Sequence, residues 1–305
     1  MFNEPDPLST LLFRSRLLVL WSKSHSHSRL STNILREVCE YLSYDHYPLS
    51  YTGEYRGFKL YLQLYDWERG QTVRLCQVHE ALSDVALVYI RGNRVVVTGG
   101  LRGEFYADYD DLHYPDCACV LVNRRNYTHL PCLQIGRLRH ATCYDPVRDC
   151  VYVLGGLRSL ARESAIRSCE SLDMQERRQW TQLAEMHIAR WRFTPVVYKS
   201  GIYVAGGGTV VMETYDPVLD KFELLPFNLP DELVEERWVG TSYQQSWVLV
   251  CSKALVTVPF SHRGRPHHEV LSLPNAVESA AIQSDSLQVL DSRGRLFHLN
   301  CKYAD

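Results

Sequence analysis

The chain lacks most of the short motifs that announce chemistry. It contains no CxxC pair, no GxxxxGKS/T or GxGxxG loop, no GxSxG elbow and no HExxH helix. Structural zinc, phosphate cradling and the common hydrolase and zincin mechanisms therefore have no foothold in the sequence. Charge of one sign is also missing: 33 Lys+Arg against 35 Asp+Glu leave a formal −2 over 305 residues. A global basic field for gripping nucleic acid is excluded, and so is a polyacidic tail protein. Ten cysteines are too few for a disulfide scaffold. The apolar stretch Leu11–Trp21 is interrupted by Arg14 and Arg16 and is too short to span a bilayer.

Residues 1–29 read as a leader, loosely ordered or helical. Glu4 and Asp6 precede its apolar stretch, which is wrong for a secretory signal. Pro7–Leu35 has no acid and four bases, Arg14, Arg16, Lys23 and Arg29, faintly like a transit peptide. The acidic start argues against that. The protein is expected in the cytoplasm with its thiols reduced, which would leave the sequon Asn126-Tyr-Thr128 idle.

What is present is repetition. Arg94-Val-Val-Val-Thr-Gly-Gly100, Cys150-Val-Tyr-Val-Leu-Gly-Gly156 and Gly201-Ile-Tyr-Val-Ala-Gly-Gly207 each end a β-branched or aromatic run in paired glycines. Gly99, Gly155 and Gly206 lie 56 and 51 residues apart, and the aromatics Tyr127, Trp180 and Phe222 follow one another at 53 and 42. Arg137-Leu-Arg139-His140 and Arg190-Trp-Arg192-Phe193 precede the second and third runs at a spacing of 53. Three markers keeping one order imply units of roughly 50 residues, each a small antiparallel sheet that its neighbours must cover. The doubled glycine, completed by Gly100, Gly156 and Gly207, suits a strand end where the next segment passes too close for a Cβ. The large aromatics suit the widening gap between neighbouring sheets.

These runs, with Tyr215-Asp216, Trp180 and Leu225-Pro226, resemble the kelch repeat over Ser83–Pro226. The resemblance implies an all-β kelch-type β-propeller over residues 49–301. Upstream, Leu60–Trp67 and Thr72–Leu75 look like two outer strands of a further blade. Downstream, Cys251-Ser252 stands where the glycine pair belongs, and Ala280–Ile282, Leu287–Asp291 and Arg295–Leu299 keep only a strand rhythm. Six blades are expected, or five if the first and last fragments merge. Pairing of N- and C-terminal strands within one blade would close the ring.

Residues 30–43 give a short helical expectation. Ile34, Leu35, Val38, Tyr41 and Leu42 recur at helical spacing, with Ser31 or Thr32 as N-cap. The segment resembles the opening of an F-box, which implies docking onto a ubiquitin-ligase subunit, although Ser31 stands where the family has proline. The plainer reading is a helix laying its apolar stripe on the propeller rim.

No cofactor or metal is expected. Cys117-Ala-Cys119 reads as small apolar residues on one strand face, and the histidine pairs His25/His27 and His267/His268 as solvated loop residues. What remains is recognition. In kelch domains of ubiquitin-ligase adaptors, arginines at the inner-strand start and just after Gly-Gly line the channel mouth and bind acidic peptides. The resemblance carries that role to Arg139, Arg192, Arg102 and Arg158. A guanidinium is permanently charged and can grip a carboxylate through two parallel hydrogen bonds, but each could equally bond backbone carbonyls of a neighbouring blade. The long loop Arg102–Asp116, with Tyr106, is a second candidate. The expected function is non-enzymatic binding of other proteins, without nucleic acid or membrane. The alternative is a kelch-propeller enzyme, an oxidase or isomerase acting on a sugar or sugar acid.

Overall fold

The computed structural model describes residues 49–54, 59–66, 71–78, 82–91, 94–102, 117–123, 126–199, 201–243, 245–261, 266–283, 286–291 and 296–300. The leader 1–29 and the F-box-like helix 30–43 lie outside these residues.

Short runs rich in Val, Ile, Leu and Tyr, punctuated by Asp, Gly and Pro turns, form antiparallel strands in consecutive order. Four sheets have four strands each. Blade 1 is Ala86–Ile90, Arg94–Thr98, Cys119–Asn123 and Asn126–Leu130. Blade 2 is Ala141–Asp145, Cys150–Leu154, Cys169–Asp173 and Thr181–Gln182. Blade 3 is Val196–Tyr198, Gly201–Val204, Val211–Asp216 and Lys221–Asn228. Blade 4 is Val239–Tyr243, Ser246–Val250, Ala254–Pro259 and His267–Val270. Two three-stranded sheets flank them: Leu49–Glu54, Lys59–Asp66 and Gln71–Val78 on the N-terminal side, and Val277–Gln283, Ser286–Asp291 and Leu296–Asn300 on the C-terminal side. The first strand of each sheet contacts the first strand of the next, and Leu49–Glu54 meets Val277–Gln283. The result is an all-β propeller.

Two expectations are corrected. Among the described residues four blades are complete, rather than six or five, because the first and last units carry three strands. Closure also differs from expectation: Leu49–Glu54 pairs with Lys59–Asp66, and Leu296–Asn300 with Ser286–Asp291, so these terminal strands are not partners in one blade. Each terminal sheet is built from its own consecutive strands.

The core sits between sheets. One apolar cluster joins blade 1 (Ile90, Val96, Leu121) to blade 2 (Tyr144, Val151, Leu172, Trp180). A second joins blades 2 and 3 and includes Tyr152 and Phe222, and a third joins blades 3 and 4 around Trp247. Each fully buried large side chain contributes about 1.5–3 kcal/mol, so these seams dominate cohesion. Trp180 fills the gap toward blade 1 and donates its Nε1–H to the Pro131 carbonyl at 2.8 Å. Tyr127 is half-buried. Among the described residues the only helical turns are Arg162–Ser164 and Asp231–Leu233, and no helix is long and apolar enough to cross a membrane.

Candidate functional site: the Gly-Gly face

Second strands end, and links from one blade to the next cross, on one face of the ring. Close contact there accounts for the paired glycines. A Cβ on Gly99 would stand 2.5 Å from the Arg137 carbonyl, and one on Gly155 2.6 Å from that of Arg190. On Gly206 it would meet the Trp238 ring at 2.9 Å. Gly100 and Gly156 N–H groups donate to the Arg137 and Arg190 carbonyls, each at 2.8 Å, which ties each link to the blade behind it.

The two arginines of each Arg-x-Arg do different things. The first is internal. Arg137 is fully buried, meets Glu170 at 2.5 Å and donates to the carbonyls of Gly155 (2.9 Å) and Ser168 (2.8 Å). Glu170 also accepts the Gln134 N–H at 2.7 Å. Arg190 repeats this with Glu213 (2.8 Å) and the Gly206 carbonyl (2.9 Å), and Glu213 accepts the His187 N–H at 2.7 Å. Burial lowers the pKa of both guanidinium groups below the usual range. Burial pushes the Glu213 carboxyl up, but Arg190 and His187 outweigh it and hold it below its ordinary value. Arg137 and Arg190 thus bond nearby backbone carbonyls.

The second arginine lies on the inner rim. Asp84, Arg139 and Arg192 occupy equivalent link positions with φ of +52°, +52° and +53°. Arg139 N–H donates to the Asp84 carbonyl at 3.1 Å, and Arg192 N–H to the Arg139 carbonyl at 2.8 Å. The side chain of Arg139 turns to the Asp84 carboxylate at 3.1 Å and is partly covered. Arg192 is exposed. Arg158 is exposed at the start of the second-to-third-strand loop of blade 2, after Leu157, whose backbone exchanges two hydrogen bonds with Leu138. That loop carries Arg162, paired at 2.8 Å with Glu235 ahead of blade 4; both side chains are about two-thirds exposed. Such a pair adds at most about 1 kcal/mol. Arg102 pairs through its backbone with Leu82, while its side chain, like all of Tyr106, lies outside the described residues.

Two residues at this face carry no repeat signal in the sequence. Asp84 belongs to no Arg-x-Arg and emerges only when blade 1 is aligned by strand register. Trp191, between the two arginines of the second Arg-x-Arg, is half-buried with its ring against Gly208, where a Cβ would collide with it. Cys119 is core: it is buried, its thiol contacts the Cys117 carbonyl, and burial pushes its pKa well up. Among the described residues no group of three or more His, Cys, Asp or Glu is placed to hold a metal ion.

No family model and no curated protein matches the chain. Among solved structures, YjhT is similar in fold, with a TM-score of 0.55 and 12% identity over 83% of this chain and 92% of that one. At that identity the likeness speaks for the propeller alone.

Proposed function

We propose that this propeller is a kelch-type, non-enzymatic recognition module of the cytoplasm that binds acidic segments of partner proteins on its Gly-Gly face. The supporting observation is the step between adjacent links: the 2.8 Å bond from Arg192 N–H to the Arg139 carbonyl sets two arginines on neighbouring blades at one rim, with Arg192 exposed. Arg158 adds a second exposed guanidinium on the same face. Exposed guanidiniums on a rigid ring suit carboxylates, through paired hydrogen bonds to a ligand that needs no reorganisation of the scaffold.

The test is affinity for a library of acidic peptides, using the full chain and an Arg158→Ala/Arg192→Asn variant. Asparagine keeps the left-handed backbone at 192 accessible. Binding is expected to fall at least about tenfold, the loss of roughly 1.4 kcal/mol; an unchanged affinity refutes the reading. The F-box-like segment motivates a narrower form, presentation of the partner to a ubiquitin ligase. Recovery of ligase subunits that survives deletion of residues 30–42 removes it.

A further inference from the structure

On the face opposite the paired glycines, a cleft of about 360 Å³ opens between blades 3 and 4. That volume lies near the lower end for small-molecule sites. Its lining includes a position without a side chain, Gly201. The first residue of the second strand is Arg94 in blade 1, Cys150 in blade 2 and Ser246 in blade 4, but Gly201 in blade 3. Successive strand residues alternate faces, so a side chain at 201 would share the face of Tyr203, which packs toward blade 4. A Cβ there would touch the Tyr203 ring at 3.3 Å and Thr214 Oγ1 at 3.4 Å.

The walls are aromatic and fixed. Phe260 of blade 4 stacks on Tyr198 of blade 3 with centroids 3.8 Å apart and planes 5° apart, and Tyr203 stands edge-on to Phe260 at 4.7 Å. The rim is charged but balanced. Lys221 pairs with Glu223 at 2.9 Å, Lys199 Nζ lies 5.3 Å over the Tyr198 ring, and Asp216 uses one oxygen to accept the Val218 N–H at 2.8 Å. Two ammonium groups and two carboxylates sum to zero, and Thr214 and Gln245 add neutral hydrogen-bonding groups to the lining.

This combination selects a ligand class. A charged ligand would meet as many like charges as opposite ones. A wholly apolar one would strip water from the rim without replacing its hydrogen bonds. A molecule with a flat C–H face and a ring of hydroxyls satisfies both wall and rim. We propose that this cleft binds a neutral saccharide of one or two rings, independently of the protein-binding face.

The test is titration of the full chain with neutral methyl glycosides of glucose, galactose and mannose and with cellobiose and lactose, followed by ligand-observed NMR. Glucuronate, glucosamine and cyclohexanol serve as charged and apolar counterparts. At least one neutral sugar is expected to bind more tightly than all three counterparts. Gly201→Leu, which fills the cleft, is expected to weaken that binding at least about tenfold, a loss of roughly 1.4 kcal/mol. Gln245→Ala, an exposed rim change, is expected to weaken it severalfold and keeps the test open if the leucine variant fails to fold. Arg192→Asn is expected to leave sugar binding unchanged, which separates this site from the peptide face. Failure of every neutral sugar to bind, preference for a counterpart, or binding that survives both cleft variants overturns the proposal.

Discussion

Arg137 and Glu170 meet at 2.5 Å with no exposure of either side chain, and the blades that lack one partner lack the other. By strand register, the equivalent positions are Arg190 and Glu213 in blade 3, where the pair is retained. They are Leu82 and Val120 in blade 1, and Glu235 and Val256 in blade 4, where the carboxylate position is a buried valine. Glu235 itself faces solvent. The physics is one-sided: a buried pair contributes little net stability, while a buried charge left alone costs several kcal/mol.

Arg137→Leu and Glu170→Val are therefore each expected to destabilise by about 3–5 kcal/mol in denaturant unfolding, since each strands the other charge. The double variant recreates the blade 1 pair. It is expected to lose about 1–3 kcal/mol less than the sum of the single changes. Strict additivity would show that the two groups do not act as a unit.

Two glycines at opposite ends of the second strands make a second contrast. Gly155 has φ of +57°, and its added Cβ would press on the Arg190 carbonyl, which already accepts the Gly156 N–H. The carbonyl cannot retreat without breaking the link. Gly155→Ala is expected to cost about 2–4 kcal/mol, combining left-handed strain with overpacking. Gly201, with contacts at 3.3–3.4 Å and no left-handed φ, should accept alanine within about 1 kcal/mol. Thermal unfolding of the two variants side by side checks the ranking.

The same contrast explains what the sequence could and could not disclose. Gly155 sits at a repeat position because a neighbouring backbone crosses there, and that steric need recurs at Gly99, so the pattern is legible. Trp180 and Phe222 are legible for a similar reason: a radial gap must be filled at each seam. Blade 4 escapes the pattern because Cys251 and Ala254 are joined across a two-residue turn, Ser252-Lys253, which leaves no long loop needing room. The split between Arg137, buried, and Arg139, on the rim, is invisible in Arg-x-Arg, since it depends on which way a left-handed residue turns the link. The number of complete blades is not legible either, because a three-stranded and a four-stranded unit begin with the same strand rhythm. Gly201 opens the third run without a signal of its own, and its meaning is the side chain that the three other blades possess there.

A last consequence concerns acid. His140 is buried with Nε2 against Thr98 Oγ1 at 2.7 Å, and its Nδ1 has no hydrogen-bond partner among the described residues. Burial, with the Arg137 charge nearby, pushes its pKa down to about 3 from 6.5. Between those values the unfolded chain binds a proton that the folded chain refuses. Stability from this group is thus complete above about pH 6.5 and falls as the pH drops toward 3, by roughly 1.4 kcal/mol per unit. From pH 7 to pH 5 the loss is about 2 kcal/mol. Blade 2 shows how to remove it. Phe193 stands against Gly155 as His140 stands against Gly99, and Leu154 takes the place of Thr98. The double variant Thr98→Leu/His140→Phe is expected to keep the fold and to lose about 2 kcal/mol less than the parent between pH 7 and pH 5, read from urea midpoints at both values. The Glu213 carboxyl, held below its ordinary value by Arg190 and His187, titrates at more acid pH and contributes little in this window. Equal pH slopes for the two proteins would show that His140 accepts its proton without opening the blade.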